Sequence, residues 1–108
     1  MKIREYETPE GRSPFGEWFQ DLDPTAAAKV TVALARLEQG NTSNVKGVGS
    51  GVSELRIDFG PGYRAYFGKD GESLVTLVGG GTKKRQQRDI AAAQAHWRTY
   101  KDRKKGKV

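Results

Sequence analysis

Apolar and polar positions alternate over the first six residues, where Lys2, Arg4 and Glu5 interrupt Met1, Ile3 and Tyr6, and this predicts a short strand. The period then lengthens. Phe15, Trp18, Phe19 and Leu22 recur at spacings of three and four behind Ser13-Pro14, an N-cap followed by proline at the first helical position, so a short amphipathic helix is expected. Asp23-Pro24 repeats the start signal, and Ala27, Val30, Ala33, Leu34 and Leu37 carry the helical period to Gly40, a natural C′ residue. A connection this short predicts that the two helices fold back as a hairpin, with Trp18 and Phe19 covering the Ala-rich face of the second helix.

Eleven of the 14 glycines fall within residues 40–81, where each would cost a helix interior about 1 kcal/mol, so this stretch is expected to form a small sheet with turns. Ser53 to Phe59 reads as a strand with Leu55, Ile57 and Phe59 on one face and Glu54, Arg56 and Asp58 on the other. Gly60-Pro61-Gly62 turns into a second strand, Tyr63 to Gly68, and Lys69-Asp70-Gly71 reverses the chain into Leu74 to Val78, completing an antiparallel meander. After Thr82 glycine is absent until position 106, and Ile90, Ala93, Trp97 and Tyr100 form one helical stripe. The expected fold is α+β: an N-terminal helical hairpin packed on a small, mainly antiparallel twisted sheet, followed by a C-terminal helix. Residues 1–101 are expected to make a single domain, with residues 102–108 a frayed basic tail.

Composition restricts the chemistry. The chain has no cysteine, hence no thiolate nucleophile or sulfur-ligated metal, and its single histidine, His96, excludes any site built on several imidazoles. No cofactor or metal is expected. No apolar run approaches the roughly 20 residues of a membrane span, and the N-terminus lacks the apolar core of a signal peptide, so a soluble, cytoplasmic protein with no membrane partner is expected. The net charge of +6 is unevenly distributed: residues 1–81 hold 9 basic and 11 acidic side chains, residues 82–108 hold 10 basic and 2 acidic. The basic end therefore suits a polyanion.

Strand alternation places Glu54, Arg56 and Asp58 on one face, and antiparallel pairing would set Arg64 beside Arg56 with Tyr66 on the same side. With the apolar face on the helices, this charged face is expected to look outward. Lys46 before it and Lys83, Lys84, Arg85 and Arg88 after it would extend one concave cationic surface. The plain alternative is a solvated face whose ion pairs each contribute only ~0–1 kcal/mol. The run Lys83 to Arg88 carries a further hint, since cations at a helix N-terminus are unfavourable by tenths of a kcal/mol unless an anion joins them. Gly79-Gly80-Gly81-Thr82 lacks the spacing of a phosphate-binding nucleotide loop, Trp18 and Trp97 read as core anchors, and His96 reads as a packed or surface residue.

The stretch VKGVGSGVSELRIDFGPGYRAYF, followed by LVTLVGGGTKK and a helix containing Asp89-Ile90, resembles the RelE/ParE superfamily of toxin–antitoxin toxins, especially its HigB-like, phage-derived addiction module killer branch. The resemblance covers nearly the whole chain. It implies a RelE-like fold and a toxin that cleaves mRNA on the ribosome, inhibits translation and is neutralised by a cognate antitoxin, commonly a helix-turn-helix protein. On this resemblance Arg64 matches the phosphate-contacting arginine, Arg56 a basic strand position and Lys83 the basic residue after the last strand. Glu54 stands where RelE has a basic strand residue, and neither Tyr nor His stands near Asp89 and Ile90, where RelE has its catalytic tyrosine. Bottom-up, cleavage through the 2′-hydroxyl needs a base, charge stabilisation on the phosphorane and an acid. The resulting catalytic set is Arg64 and Arg56 for charge, Glu54 as base, and Lys83 or Lys46 as acid. Lys46, Tyr66, Lys84, Arg85 and Arg88 are the expected RNA contacts. The same superfamily holds ParE-like DNA gyrase inhibitors, and a nonenzymatic RNA-binding module is the third reading.

Overall fold

The computed structural model describes residues 1–106. In chain order it contains β1 (Lys2–Glu5), α1 (Pro14–Gln20), α2 (Pro24–Glu38), β2 (Val45–Gly49), β3 (Val52–Ile57), β4 (Tyr63–Asp70), β5 (Leu74–Thr82), a 3-10 turn (Lys83–Arg85) and α3 (Gln86–Lys104). Both expected N-caps form: Ser13 Oγ accepts from the Gly16 N–H and Asp23 Oδ1 from the Ala26 N–H, each at 2.9 Å. The α+β class is as the periodicities indicate. The sheet is mixed, with order β1-β5-β4-β3-β2; β1 runs parallel to β5 and the other pairs are antiparallel. Strand β2 was not expected, because Val45-Lys46-Gly47-Val48-Gly49 offers too few apolar residues for alternation to register.

Helices cover both faces of the sheet. One core joins Phe15 of α1 and Val30 and Leu37 of α2 to Leu55, Ile57, Ala65, Phe67, Val75 and Leu77. The second joins Ala93 and Trp97 of α3 to Val52, Tyr66 and Val78, with Tyr6 beyond β1. The expectation of an outward-looking charged face is corrected in part: α3 covers Glu54 and Tyr66, while Arg56 and Asp58 stay exposed. The hairpin detail also differs, since α1 makes its main contact with β5 and α2 with β3. Trp18 lies on the backbone of Gly80.

A bulge gives the glycine run its meaning. Tyr66 pairs with Gly79 and Phe67 with Leu77, so Val78 is extra and the facing of β5 shifts by one residue. Gly80 then meets Trp18 on the α1 side, while Gly81 meets the Asp89 carboxylate on the α3 side. Lower in the sheet, a Cβ at Gly68 would stand 2.5 Å from three atoms of the Trp97 indole. These glycines are sites of close packing on a strand, not a ligand loop.

Helix α3 continues to Lys104, past the expected start of a tail at residue 102; Lys107 and Val108 of that tail lie outside the described residues. Its far end is tied down at Asp70, whose Oδ2 accepts from the Tyr100 hydroxyl and from Lys104 Nζ, each at 2.5 Å, with Arg4 also bonded to Tyr100. Arg103 donates to the Glu7 carbonyl. No described helix is long and apolar enough to cross a membrane.

Two outcomes follow for stability. Gly68→Ala pushes a methyl into the Trp97 indole, and urea denaturation is expected to show a loss of about 1–3 kcal/mol. Asp70 titrates below its ordinary value because of its bond from Lys104 first and from Tyr100 second. A depressed carboxyl pKa contributes stability above the unfolded-state value of about 3.9 and loses it as pH falls through the folded value. Asp70→Asn is therefore expected to flatten the acid limb of stability between roughly pH 5 and 2, measured as urea midpoints.

Candidate nucleic-acid interface

The polar end of the sheet is organised by the turn between β3 and β4. Gly60 and Gly62 take φ values of 55° and 80°, which L side chains rarely adopt. The turn leaves the Gly62 carbonyl free to accept twice, from Arg64 Nη1 at 3.0 Å and from the Lys83 N–H at 2.8 Å. One backbone oxygen thus fixes both a guanidinium on β4 and the start of the 3-10 turn after β5.

Register supplies the second cation. Arg56 on β3 stands directly opposite Arg64 on β4, as the pairing argument expects. Like charges in direct cross-strand register are unfavourable. Two carboxylates offset them: Asp58 Oδ1 lies 3.6 Å from Arg56 Nε, and Glu54 Oε1 lies 3.4 Å from Arg64 Nε. Arg56, Arg64 and Lys83 line one cleft of about 430 Å³, together with Asp58 and the Gly60-Pro61-Gly62 turn. Lys83 also borders a second cleft of about 380 Å³, whose walls include Lys84, Arg85 and Arg88. The two clefts make a cationic track around the start of α3.

Not every expected site residue faces this track. Arg64 reaches the cleft wall although it is only 6% exposed, whereas Glu54, 3% exposed, lines neither cleft. Glu54 Oε1 accepts from Gln86 Nε2 at 2.6 Å, so the carboxylate is enclosed between the Gln86 side chain of α3 and the Arg64 guanidinium. Tyr66 is fully buried, which corrects its expected place on an RNA-contacting surface. Its hydroxyl has no well-formed hydrogen bond among the described residues, and its pKa is raised by burial first, then by Glu54 and Asp89, with Arg64 opposing. Lys46 pairs with Glu54 across β2 and β3 and is exposed, but it lines neither cleft. Asp89 rests on Gly81, and burial raises its pKa against the pull of Arg85 and Arg88.

The arrangement can hold phosphates. Arginine presents its donors as a fork suited to bidentate contact, and lysine adds a mobile point charge. Among the described residues no group of three or more His, Cys, Asp or Glu could hold a metal ion. His96 is half-buried 5.3 Å from the Tyr6 ring, and burial lowers its pKa, so it packs as expected. Sequence reasoning missed Gln86, which holds Glu54, and took Asp58 for a surface counter-ion alone. Alternation put Asp58 on the Arg56 face, but only the fold brings Arg64 and Lys83 into the same cleft.

Residues 17–105 match the family described as Phage derived protein Gp49-like (DUF891). The chain belongs to this family. The match runs from within α1 to just past α3 and so includes every residue of both clefts. The chain is also similar to an uncharacterized protein of Haemophilus influenzae (strain ATCC 51907 / DSM 11121 / KW20 / Rd), 41% identical over 81 residues, which are 74% of this chain and 82% of the relative. Membership of the Gp49-like family is consistent with an addiction-module toxin and with the antitoxin partner that such a module implies.

The buried polar pair makes opposite demands on two substitutions. Tyr66→Phe removes an unpartnered hydroxyl and is expected to raise stability by about 1 kcal/mol. Arg64→Ala leaves Glu54 buried without its counter-charge and is expected to cost about 3–5 kcal/mol. Chemical denaturation of both variants checks the signs.

Proposed function

We propose that this Gp49-like chain is the toxin of a type II toxin–antitoxin module, an endoribonuclease that cuts mRNA at the ribosome and so inhibits translation. The observation that carries the reading is the cleft where Arg56, Arg64 and Lys83 converge, continued through Lys83 into the Lys84, Arg85 and Arg88 wall. A scissile phosphate seated in the first cleft meets two guanidinium forks, and neighbouring phosphates follow the second. That extent suits a polynucleotide better than a single nucleotide.

Attack by the 2′-hydroxyl on the adjacent phosphorus builds extra negative charge on the phosphorane, which Arg56 and Arg64 are placed to stabilise. The Lys83 ammonium, on the same cleft wall, supplies a proton to the departing 5′-oxygen. Glu54 acts as a positioning residue that holds the Arg64 guanidinium. Lys46, outside the clefts, contributes only long-range attraction. The work belongs in the cytoplasm, where ribosomes and mRNA are. A cognate antitoxin, expected to be a helix-turn-helix protein, would restrain it.

Arg56 and Lys83 are exposed, so Arg56→Ala and Lys83→Ala test the site without disturbing the core. Induction of the wild-type chain is expected to arrest growth and leave mRNA cut at defined positions. In single-turnover assays on ribosome-bound mRNA, Arg56→Ala is expected to slow cleavage about 10²-fold or more, as loss of a charge-stabilising donor does. Inhibition of purified gyrase with mRNA left intact would replace this reading with that of a ParE-like gyrase inhibitor. Salt-sensitive RNA binding with no cut at all would leave a nonenzymatic RNA-binding module.

A further inference from the structure

Cleavage through the 2′-hydroxyl needs an acceptor for its proton, and the burial pattern removes the obvious one. Glu54 is 3% exposed, is engaged by Gln86 and Arg64, and lines neither cleft. Asp89 lies on Gly81 and is likewise absent from both cleft walls. Arginine, with a pKa above about 12, is a poor base. Asp58 remains: among the described residues it is the one carboxylate on the wall of the Arg56–Arg64–Lys83 cleft.

Its setting is suited to that role. The chain leaves β3 at Ile57, and Asp58 opens the turn that ends in Gly62, so it lines the same cleft as Arg64 and Lys83, which the Gly62 carbonyl fixes. The side chain is 76% exposed, with Oδ1 3.6 Å from Arg56 Nε. A phosphate gripped by Arg56 is thereby within a few ångströms of a carboxylate that has no other ion-pair partner among the described residues. The charged groups that share the cleft with Asp58 are Arg56 on β3, Arg64 on β4 and Lys83 on the 3-10 turn, all cationic.

We propose that Asp58 is the general base of the cleavage reaction, taking the 2′-hydroxyl proton as the 2′-oxygen attacks phosphorus. The proposal rests on the endoribonuclease reading. The 2′-O–P bond forms and the P–O5′ bond breaks; the 2′ proton passes to the Asp58 carboxylate, and the 5′-oxygen takes a proton from Lys83. The products are a 2′,3′-cyclic phosphate and a 5′-hydroxyl, with no redox change and no further reactant.

The experiment compares wild type with Asp58→Asn in single-turnover cleavage of ribosome-bound mRNA. In parallel, it measures affinity for the same complex carrying a 2′-deoxy nucleotide at the cut position, which binds without reacting. The expected result is a cleavage rate lower by about 10²-fold or more, affinity within about threefold of wild type, and cyclic-phosphate ends on the wild-type product. If Asp58 only neutralises Arg56, the Asn variant cuts at the wild-type rate or faster, and the assignment to Asp58 is overturned while the nuclease reading stands. Equal loss of rate and affinity also overturns it, by making Asp58 a binding residue. A wild-type protein that leaves the mRNA intact removes the nuclease reading itself, and the role of Asp58 with it. Because the substituted carboxylate is exposed, circular dichroism and the melting temperature should stay at their wild-type values, which separates a lost base from a lost fold.

Discussion

Trp97 rests on bare backbone at Gly68 and beside Gly51, and that contact fixes where the whole of α3 lies. A tryptophan removes about 150–250 Å² from water, worth roughly 4–6 kcal/mol at the usual area coefficient. With the indole seated, the helical period decides what the rest of α3 covers. Two to three turns toward its N-terminus, Gln86 and Asp89 arrive over Glu54 and Gly81. In the other direction, Tyr100 and Lys104 arrive at Asp70. The apolar centre of the interface thus determines two polar ends, and the cationic clefts belong to the first.

That first end is costly for the folded chain. Glu54 and Arg64 give up solvation, the Tyr66 hydroxyl and Arg64 Nε are buried without hydrogen bonds among the described residues, and two arginines face each other across paired strands. A buried ion pair seldom repays its desolvation in full, and an unpartnered hydroxyl repays nothing. Such a cluster would be replaced at a net gain in stability by a well-packed apolar set. Its persistence beside a cleft of three cations fits a site arranged for a ligand's charge rather than for the fold.

Much of this was legible in the residues. The caps at Ser13 and Asp23, the stripes of the helices, the facing of β3 and β4 and the Arg56–Arg64 register all follow from local periodicity. What was not legible is which faces are covered, since alternation shows that Glu54 and Leu55 point oppositely but not that a third helix lies on the Glu54 side. One signal was present: the stripe Ile90, Ala93, Trp97 and Tyr100 needs an apolar partner, and with α1 and α2 on one face the opposite face is where it must go. Val52, Tyr66 and Val78 supply that partner beside the charged row. The bulge at Val78 and the arrival of Arg64 and Lys83 beside the Arg56–Asp58 pair depend on contacts distant in sequence, and no pattern within a single element encodes them.

Among the described residues, the helix that closes this site begins without a side-chain cap, and Lys83, Lys84, Arg85 and Arg88 crowd its positive end against the one carboxylate of its first turn, Asp89. The free protein therefore carries electrostatic tension there, relieved by whatever anion occupies the track. By linkage, such an anion binds the folded chain in preference to the unfolded one and stabilises it in proportion to its occupancy. Dissolved salt acts on the same charges from the other side, screening their mutual repulsion and competing for the site within a Debye length of about 8 Å at physiological ionic strength. An anion bound there would be coupled to the folding equilibrium of α3, and the firmness of this end of the molecule would then be a function of what is bound.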